Sequence, residues 1–152
     1  MKSLNRVLEM GTTKKIEVLN ITKQVEGFIN ESGVKTGQIA VFVNSTTSAI
    51  FVNEAEEFLF EDFEEYLKEK VKDKKFKHDN ILERKNCPED EPINGHAHIQ
   101  SSFYLQPSLS LIIDNGDLVL GKWQSVLFIE LDGPCPRKHK EKRKIYMNVV
   151  GE

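Results

Sequence analysis

The sequence predicts a compact α+β domain of mostly antiparallel β-sheets with two main helices, spanning residues 1–152 as a single unit. A chain of 152 residues has the size of one domain, and it contains no internal repeat or low-complexity tract. Segments rich in β-branched and aromatic residues lie at both ends of the chain, and helical periodicity is found between them.

The charge and hydropathy of the chain narrow the classes of function. It has 21 Lys and Arg against 24 Asp and Glu, a formal net charge of −3, so nucleic-acid binding through bulk electrostatics is not expected. No stretch approaches the ~18–20 apolar residues of a membrane span, and no apolar signal segment follows the first residues. Cys87 and Cys135 form no Cys-x-x-Cys pair. A cytoplasmic protein without membrane or nucleic-acid partners is therefore predicted.

The first elements predicted are a hairpin and a short helix. Residues 5–10 and 15–19 are rich in β-formers and flank a turn near Gly11, which is typical of a hairpin. Thr22 is a suitable N-cap for a helix over 23–31, and Gly33 is placed to end it. The expected buried face of this helix consists of Val25, Phe28 and Ile29.

The other strands are predicted from runs of β-formers separated by turn signals. Asn115-Gly116 is a strong hairpin turn, and residues 73–93 are polar enough to form a long loop. The predicted strands cover 38–43, 48–52, 94–103, 108–113, 118–131 with an interruption at Gly121, and 144–150.

A second, longer helix is predicted over 54–72. Asn53 and Glu56 have capping-box spacing, and acidic residues at the start with basic residues later match the helix dipole. Asp62 falls inside the predicted apolar stripe, which consists of Ala55, Phe58, Leu59, Phe63 and Tyr66. Because burying an unpaired carboxylate costs several kcal/mol, Asp62 is expected to have a hydrogen-bond partner or a metal.

Three of the four histidines lie within 21 residues, at His78, His96 and His98. On the predicted strand, alternation places His96 and His98 on one polar face, roughly 7 Å apart at their roots. Two imidazoles at that distance can share a metal or serve as acid and base, and His78 reaches the same place from the loop. The alternative is an ordinary solvated polar face.

The segment 121–133 reads as a long strand that carries Gln124 and Glu130 on one face. Six residues of regular strand separate them by about 20 Å. Either a bulge shortens this distance, or Glu130 pairs elsewhere, for example with a basic residue across a subunit boundary. Trp123 is expected in the core. The basic run 137–144 is expected to be a solvated hairpin, with phosphate binding as the alternative.

Taken together, several short motifs resemble those of the YjbQ family over nearly the whole chain. The order and spacing of these motifs are specific, although each one is short. They are Val41-Phe42-Val43…Thr46-Thr47-Ser48-Ala49-Ile50…Asn53-Glu54, then Asp62, His78-Asp79, Asn86…Pro88-Glu89, Asn94-Gly95-His96-Ala97-His98, and Asp114-Asn115-Gly116…Leu120-Gly121-Lys122-Trp123-Gln124…Glu130-Leu131-Asp132-Gly133-Pro134.

The resemblance implies a homotrimer associated with secondary thiamine-phosphate synthase activity, which acts on a small phosphorylated substrate. It implies that part of a polar constellation is buried between subunits. The members of that constellation in this sequence are Asn53, Glu54, Asp62, His78, His98, Gln124 and Glu130.

The sequence departs from the family pattern at two places. The usual His-Thr-Thr turn reads Ser45-Thr46-Thr47, so one imidazole is absent, although three hydroxyls and backbone N–H groups can still bind phosphate. The usual Asp-Gly-Pro-Arg ending reads Asp132-Gly133-Pro134-Cys135-Pro136-Arg137.

The resulting hypothesis assigns a role to each candidate residue. His78, His98, Asp62 and Glu54 are the expected catalytic residues. Thiamine-phosphate synthesis joins a pyrimidine-methyl diphosphate to a thiazole phosphate and expels diphosphate. Because the leaving group is highly charged, a divalent metal is expected, Mg²⁺ or Zn²⁺, with His78, His96 and His98 as candidate ligands. The expected substrate contacts are Ser45, Thr46, Thr47, Asn53, Gln124 and Glu130.

Two alternatives remain open at this stage. One is a divalent-metal hydrolase in which the three histidines hold zinc and Glu54 or Asp62 activates water. The other is a non-enzymatic trimeric ligand-binding protein with a degenerate site, which the serine at position 45 favours.

Overall fold

The computed structural model describes residues 1–88 and 90–152, so Glu89 of the quoted motif lies outside the described residues. Within them the chain forms eight β-strands and three α-helices, and short 3₁₀ turns at 77–79 and 81–83 interrupt the predicted long loop. The elements are β1 (Lys2–Met10), β2 (Glu17–Asn20), α1 (Thr22–Ser32), β3 (Gly37–Val43), β4 (Ser48–Asn53), α2 (Glu57–Val71), α3 (Gly95–Phe103), β5 (Ser108–Asp114), β6 (Asp117–Leu118), β7 (Ser125–Glu130) and β8 (Arg143–Gly151).

Antiparallel pairing arranges the strands in two sheets. The larger sheet has the order β1-β8-β3-β5-β6, and the smaller sheet has the order β2-β7-β4. The predicted hairpin turn is confirmed, because Asn115 and Gly116 have φ angles of 52° and 88° between β5 and β6. The predicted α+β class with antiparallel sheets is therefore confirmed, with three helices where two main ones are predicted.

Strand β7 is buried on both faces and links two apolar cores. Val126 and Phe128 pack in the core formed with α1 and the larger sheet. Leu127 and Ile129 alternate with them and pack in a second core, against α2 and α3. The end of β7 is thus held between two layers, and the polar residues that follow it are placed by both cores.

The predicted opening hairpin is wrong. β1 pairs with β8 in the larger sheet, whereas β2 pairs with β7 in the smaller sheet. Leu8 and Met10 of β1 contact the first core, but Ile16 and Val18 are buried in the second. The two segments separate because their apolar side chains belong to different cores.

Helix α1 confirms the prediction for residues 23–31. Its buried face contains Val25, Phe28 and Ile29, and Gly33 ends it in the left-handed region at a φ of 65°. Thr22, however, is not the N-cap. Its hydroxyl donates to Asn20 Oδ1 and accepts from the Val126 N–H, which ties the start of α1 to β7.

Helix α2 begins at Glu57, and its N-cap is Glu56, whose carboxylate accepts from the Phe58 and Leu59 N–H groups. The predicted Asn53 cap is therefore wrong. The predicted stripe has the wrong phase as well, because Phe58 and Tyr66 are exposed. The side chains that turn toward the core follow i, i+3, i+4, i+7 spacing: Phe60, Phe63, Glu64 and Leu67.

The carboxylate inside the apolar face of α2 is consequently Glu64, not Asp62. Glu64 is 7 % exposed, whereas Asp62 faces solvent. Glu64 has the partner that the prediction requires, because Lys14 Nζ lies 3.2 Å from its Oε1. Lys68 is a second cation, 3.8 Å from Oε2. Asp62 is therefore not the buried, ion-paired carboxylate of this helix.

Helix α3 (Gly95–Phe103) occupies the segment 94–103 where a strand is predicted, and this correction changes the site. Asp79 Oδ1 accepts the Gly95 N–H at 2.8 Å, which satisfies an N–H at the helix start. Gln100 is fully buried and donates to the Leu67 carbonyl of α2 at 2.6 Å. These long-range contacts stabilise a helix that local propensity alone does not predict.

The predicted strand 118–131 is divided into β6 and β7, with residues 119–124 between them. Trp123 lies in this connection and is 65 % exposed, so its predicted place in the core is wrong. No helix among the described residues is long and apolar enough to cross a membrane.

Candidate functional site

His78 and His98 lie side by side, as predicted. Their ring centroids are 4.6 Å apart, and the rings are inclined by 61°. His78 stands in the first 3₁₀ turn of the connection after α2, and His98 stands on α3. The hydrogen bond from Gly95 to Asp79 joins the same two segments, so the backbone holds the two imidazoles in contact.

A carboxylate and a guanidinium surround this histidine pair. His78 Nε2 lies 3.3 Å from Glu91 Oε1 and has no hydrogen-bond partner among the described residues. Arg84 Nη1 donates to Glu91 Oε1 and to the His78 carbonyl, both at 3.1 Å. Burial, followed by the proximity of His78, lowers the pKa of His98 below its usual value. His98 is therefore a neutral imidazole at pH 7.

His98 borders a pocket of about 450 Å³ whose polar walls are mostly hydroxyl groups. The Ser48 hydroxyl is buried there and has no hydrogen-bond partner among the described residues. Among the described residues, no Asp, Glu, Lys or Arg side chain lines this pocket, and its one imidazole is that of His98. The hydroxyls and the imidazole come from Ser45, Thr46, Ser48, His98, Ser101 and Ser102.

The turn that carries Ser45 and Thr47 is fastened to Arg143, at the start of β8. Arg143 donates from Nη1 to Ser45 Oγ at 2.7 Å and from Nη2 to Thr47 Oγ1 at 2.9 Å. The Thr47 N–H donates to Ser45 Oγ, and the Leu131 N–H donates to the Thr47 carbonyl. The predicted phosphate-binding turn is thus ordered by a guanidinium behind the pocket.

Arg143 forms a buried ion pair with Glu130, at the end of β7. Arg143 Nε donates to Glu130 Oε2 at 2.6 Å, and Nη2 donates to Oε1. Glu130 also accepts from the N–H groups of Leu131 and Asp132. Burial opposes the charge on Arg143, but hydrogen bonding to Glu130 and the charge of that carboxylate raise the pKa of the guanidinium above its usual value.

The partner of Glu130 therefore lies within the same chain, not across a subunit boundary. Glu130 is fully buried and sits behind the turn, so its predicted role in direct substrate contact is not supported by its position. Its position instead supports an indirect role, in which Glu130 holds the Arg143 guanidinium against Ser45 and Thr47.

The basic run 137–144 folds back on Asp132 rather than standing free in solvent. Lys140 Nζ and Arg137 Nη2 lie 2.8 Å and 3.0 Å from Asp132 Oδ2. Asn94 Nδ2 donates to the same oxygen at 3.0 Å. Burial alone would raise the pKa of Asp132, but these donors, Lys140 foremost, lower it. This interaction ties the run to the segment preceding α3.

Five predicted site residues lie away from the pocket. Asn53 Oδ1 accepts the neighbouring Glu54 N–H, and both residues are exposed at the end of β4. Gln124 is exposed and accepts the Gly121 N–H at 2.7 Å. Asp62 and His96 line a different cleft. His96 and His98 point in different directions because side chains two positions apart on a helix are separated by about 200° around its axis.

The predicted three-histidine metal set is not formed. Across residues 1–88 and 90–152, no group of three His, Cys, Asp or Glu side chains is arranged to hold a metal ion. His78 and His98 together offer two imidazoles, but His96 points into the other cleft. A transition-metal site needs at least three protein ligands, so these residues do not complete one.

Arg143 is the functional residue that the sequence analysis misses. The position had a recognisable signal, because Arg143 shares the inward parity of Ile145, Met147 and Val149 along β8. An arginine on the buried face of a strand requires a buried acceptor. The charge of the surrounding basic run obscured that pattern.

Comparison with known proteins shows which family this chain matches. A family model described as UPF0047 protein YjbQ-like matches residues 6–152. A UPF0047 protein of Methanothermobacter thermautotrophicus is 33% identical over all of this chain and 95% of its own length. The UPF0047 protein YugU of Bacillus subtilis is 32% identical over 87% of this chain and 92% of its own length.

Solved structures agree with this match. A crystal structure of a YbjQ-like protein of unknown function from Sulfolobus solfataricus superposes with a TM-score of 0.84, at 32% identity and 99% coverage of both chains. A YjbQ/UPF0047 protein from Clostridium acetobutylicum gives a TM-score of 0.76 at 30% identity, covering 97% of this chain and 99% of its own. The resemblance predicted from the motifs is confirmed.

Proposed function

This chain belongs to the YjbQ-like UPF0047 family, and from that membership we propose that it is a small-molecule transferase resembling secondary thiamine-phosphate synthase. The proposed reaction joins a pyrimidine-methyl diphosphate to a thiazole phosphate and releases diphosphate. We place this reaction in the hydroxyl-lined pocket beside His98, in the cytoplasm.

The observation that carries the proposal is the pocket itself. It brings the hydroxyls of Ser45 and Ser48 to the same walls as His98, with the guanidinium of Arg143 directly behind Ser45. Phosphoryl oxygens accept hydrogen bonds, and a site for them needs several donors and nearby positive charge. The Ser48 hydroxyl, which has no hydrogen-bond partner among the described residues, is a further donor at the pocket wall.

The histidine pair supplies imidazole groups that can donate a proton to, or accept one from, the leaving diphosphate. His98 is neutral at pH 7 because burial and His78 lower its pKa, so its ring can donate one hydrogen bond and accept another. The second ring of the pair, His78, has its Nε2 3.3 Å from Glu91 Oε1, so a carboxylate stands beside it. Donors aimed at a leaving group stabilise the negative charge that develops when its bond breaks.

A divalent metal stays a prediction and takes no part in this proposal. The described side chains do not complete a metal site, so no step is assigned to an ion. For the same reason no observation favours the zinc hydrolase among the alternatives.

A specific observation does favour the ligand-binding alternative. Ser45, which stands where the family pattern has histidine, accepts a hydrogen bond from Arg143, so this turn is ordered without an imidazole. A pocket of this kind can bind a phosphorylated compound and yet turn it over slowly. Substrate-dependent thermal stabilisation without product would identify that function.

We expect His98→Ala to lower kcat/KM by at least about 100-fold with the two phosphorylated substrates, since a positioned acid or base contributes ~10²–10⁴-fold. The assay measures product formation by liquid chromatography. His139→Ala is the matched control, because His139 is exposed in the basic hairpin and does not line the pocket. Absence of turnover by the wild-type protein, or equal rates in the His98 variant, would contradict the transferase proposal.

The homotrimer is a further part of the proposal, supported by one face of the larger sheet. Opposite the core, the middle of this face carries no charged side chain at twelve positions, and the charged residues of the same face, Glu9, Asp114 and Lys144, stand at strand ends. The large apolar residues of this face are exposed: Val7 is 48 %, Phe42 44 % and Ile112 57 % exposed. Uncharged sheet faces with exposed aromatic residues are typical of interfaces. The twelve positions are Ser3, Asn5, Val7, Gln38, Ala40, Phe42, Ser108, Ser110, Ile112, Tyr146, Asn148 and Val150.

We expect Ala40→Glu to convert the trimer to monomer, because Ala40 lies between Asn148 and Ser110 at the centre of that face. A carboxylate buried there without a partner costs several kcal/mol. Light scattering after size-exclusion chromatography measures the mass. Leu82→Glu is the control, since Leu82 is fully exposed on another surface. A monomeric wild type, or a trimeric Ala40 variant, would refute assembly through this face.

A further inference from the structure

A second, larger cleft lies on the other side of α3 from the hydroxyl-lined pocket. Its volume is about 910 Å³, at the upper end of the ~300–1,000 Å³ typical of small-molecule sites. One part of its lining is a face of α2, and the rest comes from the two residues before β2, the connection after α2 and the start of α3. Asp62 and His96, which the proposed transferase site does not use, both line it.

The middle of the cleft is apolar and partly aromatic. Ile16 lines it and is buried, and the aromatic residues Tyr66 and Phe76 line it as well. Such side chains can pack against a flat ring system. An aromatic or heteroaromatic group is therefore the ligand portion that suits this region.

Along α2, the cleft is acidic at one end and mostly basic at the other. Asp62 and Glu65 lie toward the start of α2, and neither carboxylate has a cation within 4.0 Å among the described residues. Lys68, Lys72 and Lys74 line the other end together with one carboxylate, Glu69, whose Oε2 lies 3.9 Å from Lys72 Nζ. Ten residues of α-helix separate Asp62 from Lys72 by about 15 Å. Among the described residues, no carboxylate lies within 4.0 Å of Lys74 Nζ.

The side wall offers hydrogen-bonding groups between these ends. Burial, followed by the charge of nearby Lys15, lowers the pKa of His96 below its usual value, so this imidazole is neutral at pH 7. Lys15 also lines the cleft and has no ion-pair partner among the described residues. A neutral imidazole and an ammonium can serve the acceptor atoms of a heterocycle.

From this arrangement we propose that the cleft binds a phosphorylated, amino-substituted heteroaromatic compound of mononucleotide size. The exocyclic amine donates to Asp62 and Glu65, and the ring packs on Tyr66 and Phe76. The phosphate lies against Lys74, with the Lys72–Glu69 pair beside it. A ligand with one anionic end and one donor end matches the two ends of the cleft in sign. This site is independent of the proposed transferase pocket.

Adenosine 5′-monophosphate is the probe, and isothermal titration calorimetry at low salt measures its binding. We expect wild-type protein to bind it with a dissociation constant below about 1 mM. Adenosine, which lacks the phosphate, and inosine 5′-monophosphate, whose carbonyl replaces the amine, should each bind at least about fivefold more weakly. These comparisons test the basic end and the acidic end separately.

Variants locate the binding in the cleft. Lys74→Ala and Asp62→Asn are each expected to weaken binding by about fivefold or more, because each removes a charged partner. Lys75→Ala, a neighbouring exposed lysine that does not line the cleft, is the matched control and should bind like wild type. His98→Ala should also bind like wild type, which separates this site from the transferase pocket.

Any one of four outcomes would overturn the proposal. The first is no heat of binding at 1 mM probe, and the second is equal affinity for all three probes. The third is unchanged affinity in both cleft variants. The fourth is loss of binding in His98→Ala, which would place the ligand in the hydroxyl-lined pocket instead. Failure of the turnover assay leaves these results unaffected, since they measure binding to wild-type and folded variant proteins.

Discussion

Arg143→Met is expected to lower the free energy of unfolding by about 3–5 kcal/mol, since it leaves a buried carboxylate without its cation. Glu130 is fully buried, and Arg143 is its only cationic partner among the described residues. For a domain of this size the loss corresponds to a fall in Tm of roughly 6–20 °C. Urea denaturation followed by circular dichroism measures the change.

The exposed pair of Arg6 and Glu31 is a matched control for Arg143→Met. This pair has the same residue types and is also bidentate, but its side chains are 40% and 60% exposed. Arg6→Met should therefore change stability by about 1 kcal/mol or less. A loss below 1 kcal/mol in Arg143→Met as well would show that Glu130 does not depend on this pairing.

A double variant separates loss of the pair from loss of packing. If the cost of Arg143→Met arises from an uncompensated charge, Glu130→Gln should recover part of it, because the amide side chain is neutral. The turn at Ser45 and Thr47 would still lack its guanidinium donors. Stability should thus improve in the double variant while phosphate binding does not.

Gly37→Ala is expected to destabilise the protein by about 3 kcal/mol or more, through a clash within the larger sheet. A Cβ at this position would lie 2.1 Å from the Val150 carbonyl oxygen and 2.7 Å from Gly151 Cα. Both contacts are with backbone, so β3 and β8 would have to separate. The midpoint of urea denaturation measures this effect.

Gly27→Ala is the control and should have the opposite sign. Gly27 lies inside α1, where an added Cβ has no neighbour within 4 Å. Alanine in a helix interior is more favourable than glycine by roughly 0.5–1 kcal/mol. Equal midpoints for wild type and Gly37→Ala would mean that the two strands can separate at that point without cost.

Elements with a strong local pattern are those that the sequence predicted correctly. Helix α1 has an apolar stripe and a glycine terminator, and both survive in the structure. Strands β3, β4, β5 and β8 are runs of β-formers in which apolar residues recur, and each lies where it is predicted. In these segments local preference and tertiary packing favour the same conformation.

The segment 94–103 shows why part of the site could not be predicted. Its glycine, histidine and serine residues have no strong preference for helix or strand. The conformation is chosen by contacts from outside the segment, chiefly the Asp79 carboxylate and the Leu67 carbonyl. With that choice His98 turns toward the hydroxyl-lined pocket and His96 turns away.

A change of phase on α2 explains the remaining difference. Counting apolar residues from Ala55 placed Asp62 in the stripe, yet the helix begins only at Glu57 and buries Glu64 instead. The two stripes share Phe63, so their hydrophobicity alone does not decide between them. Lys14, fifty residues earlier, supplies the partner that makes burial of Glu64 possible.

By itself, the sequence determined the family, the α+β class with antiparallel sheets, and the proximity of His78 to His98. Only the tertiary structure decided that Arg143 holds the Ser45 turn through a buried pair with Glu130, and that Asp62 and His96 face a separate cleft. The reason is physical. Periodicity records which side chains share a face of one element, whereas charge pairing and pocket membership depend on which elements pack together.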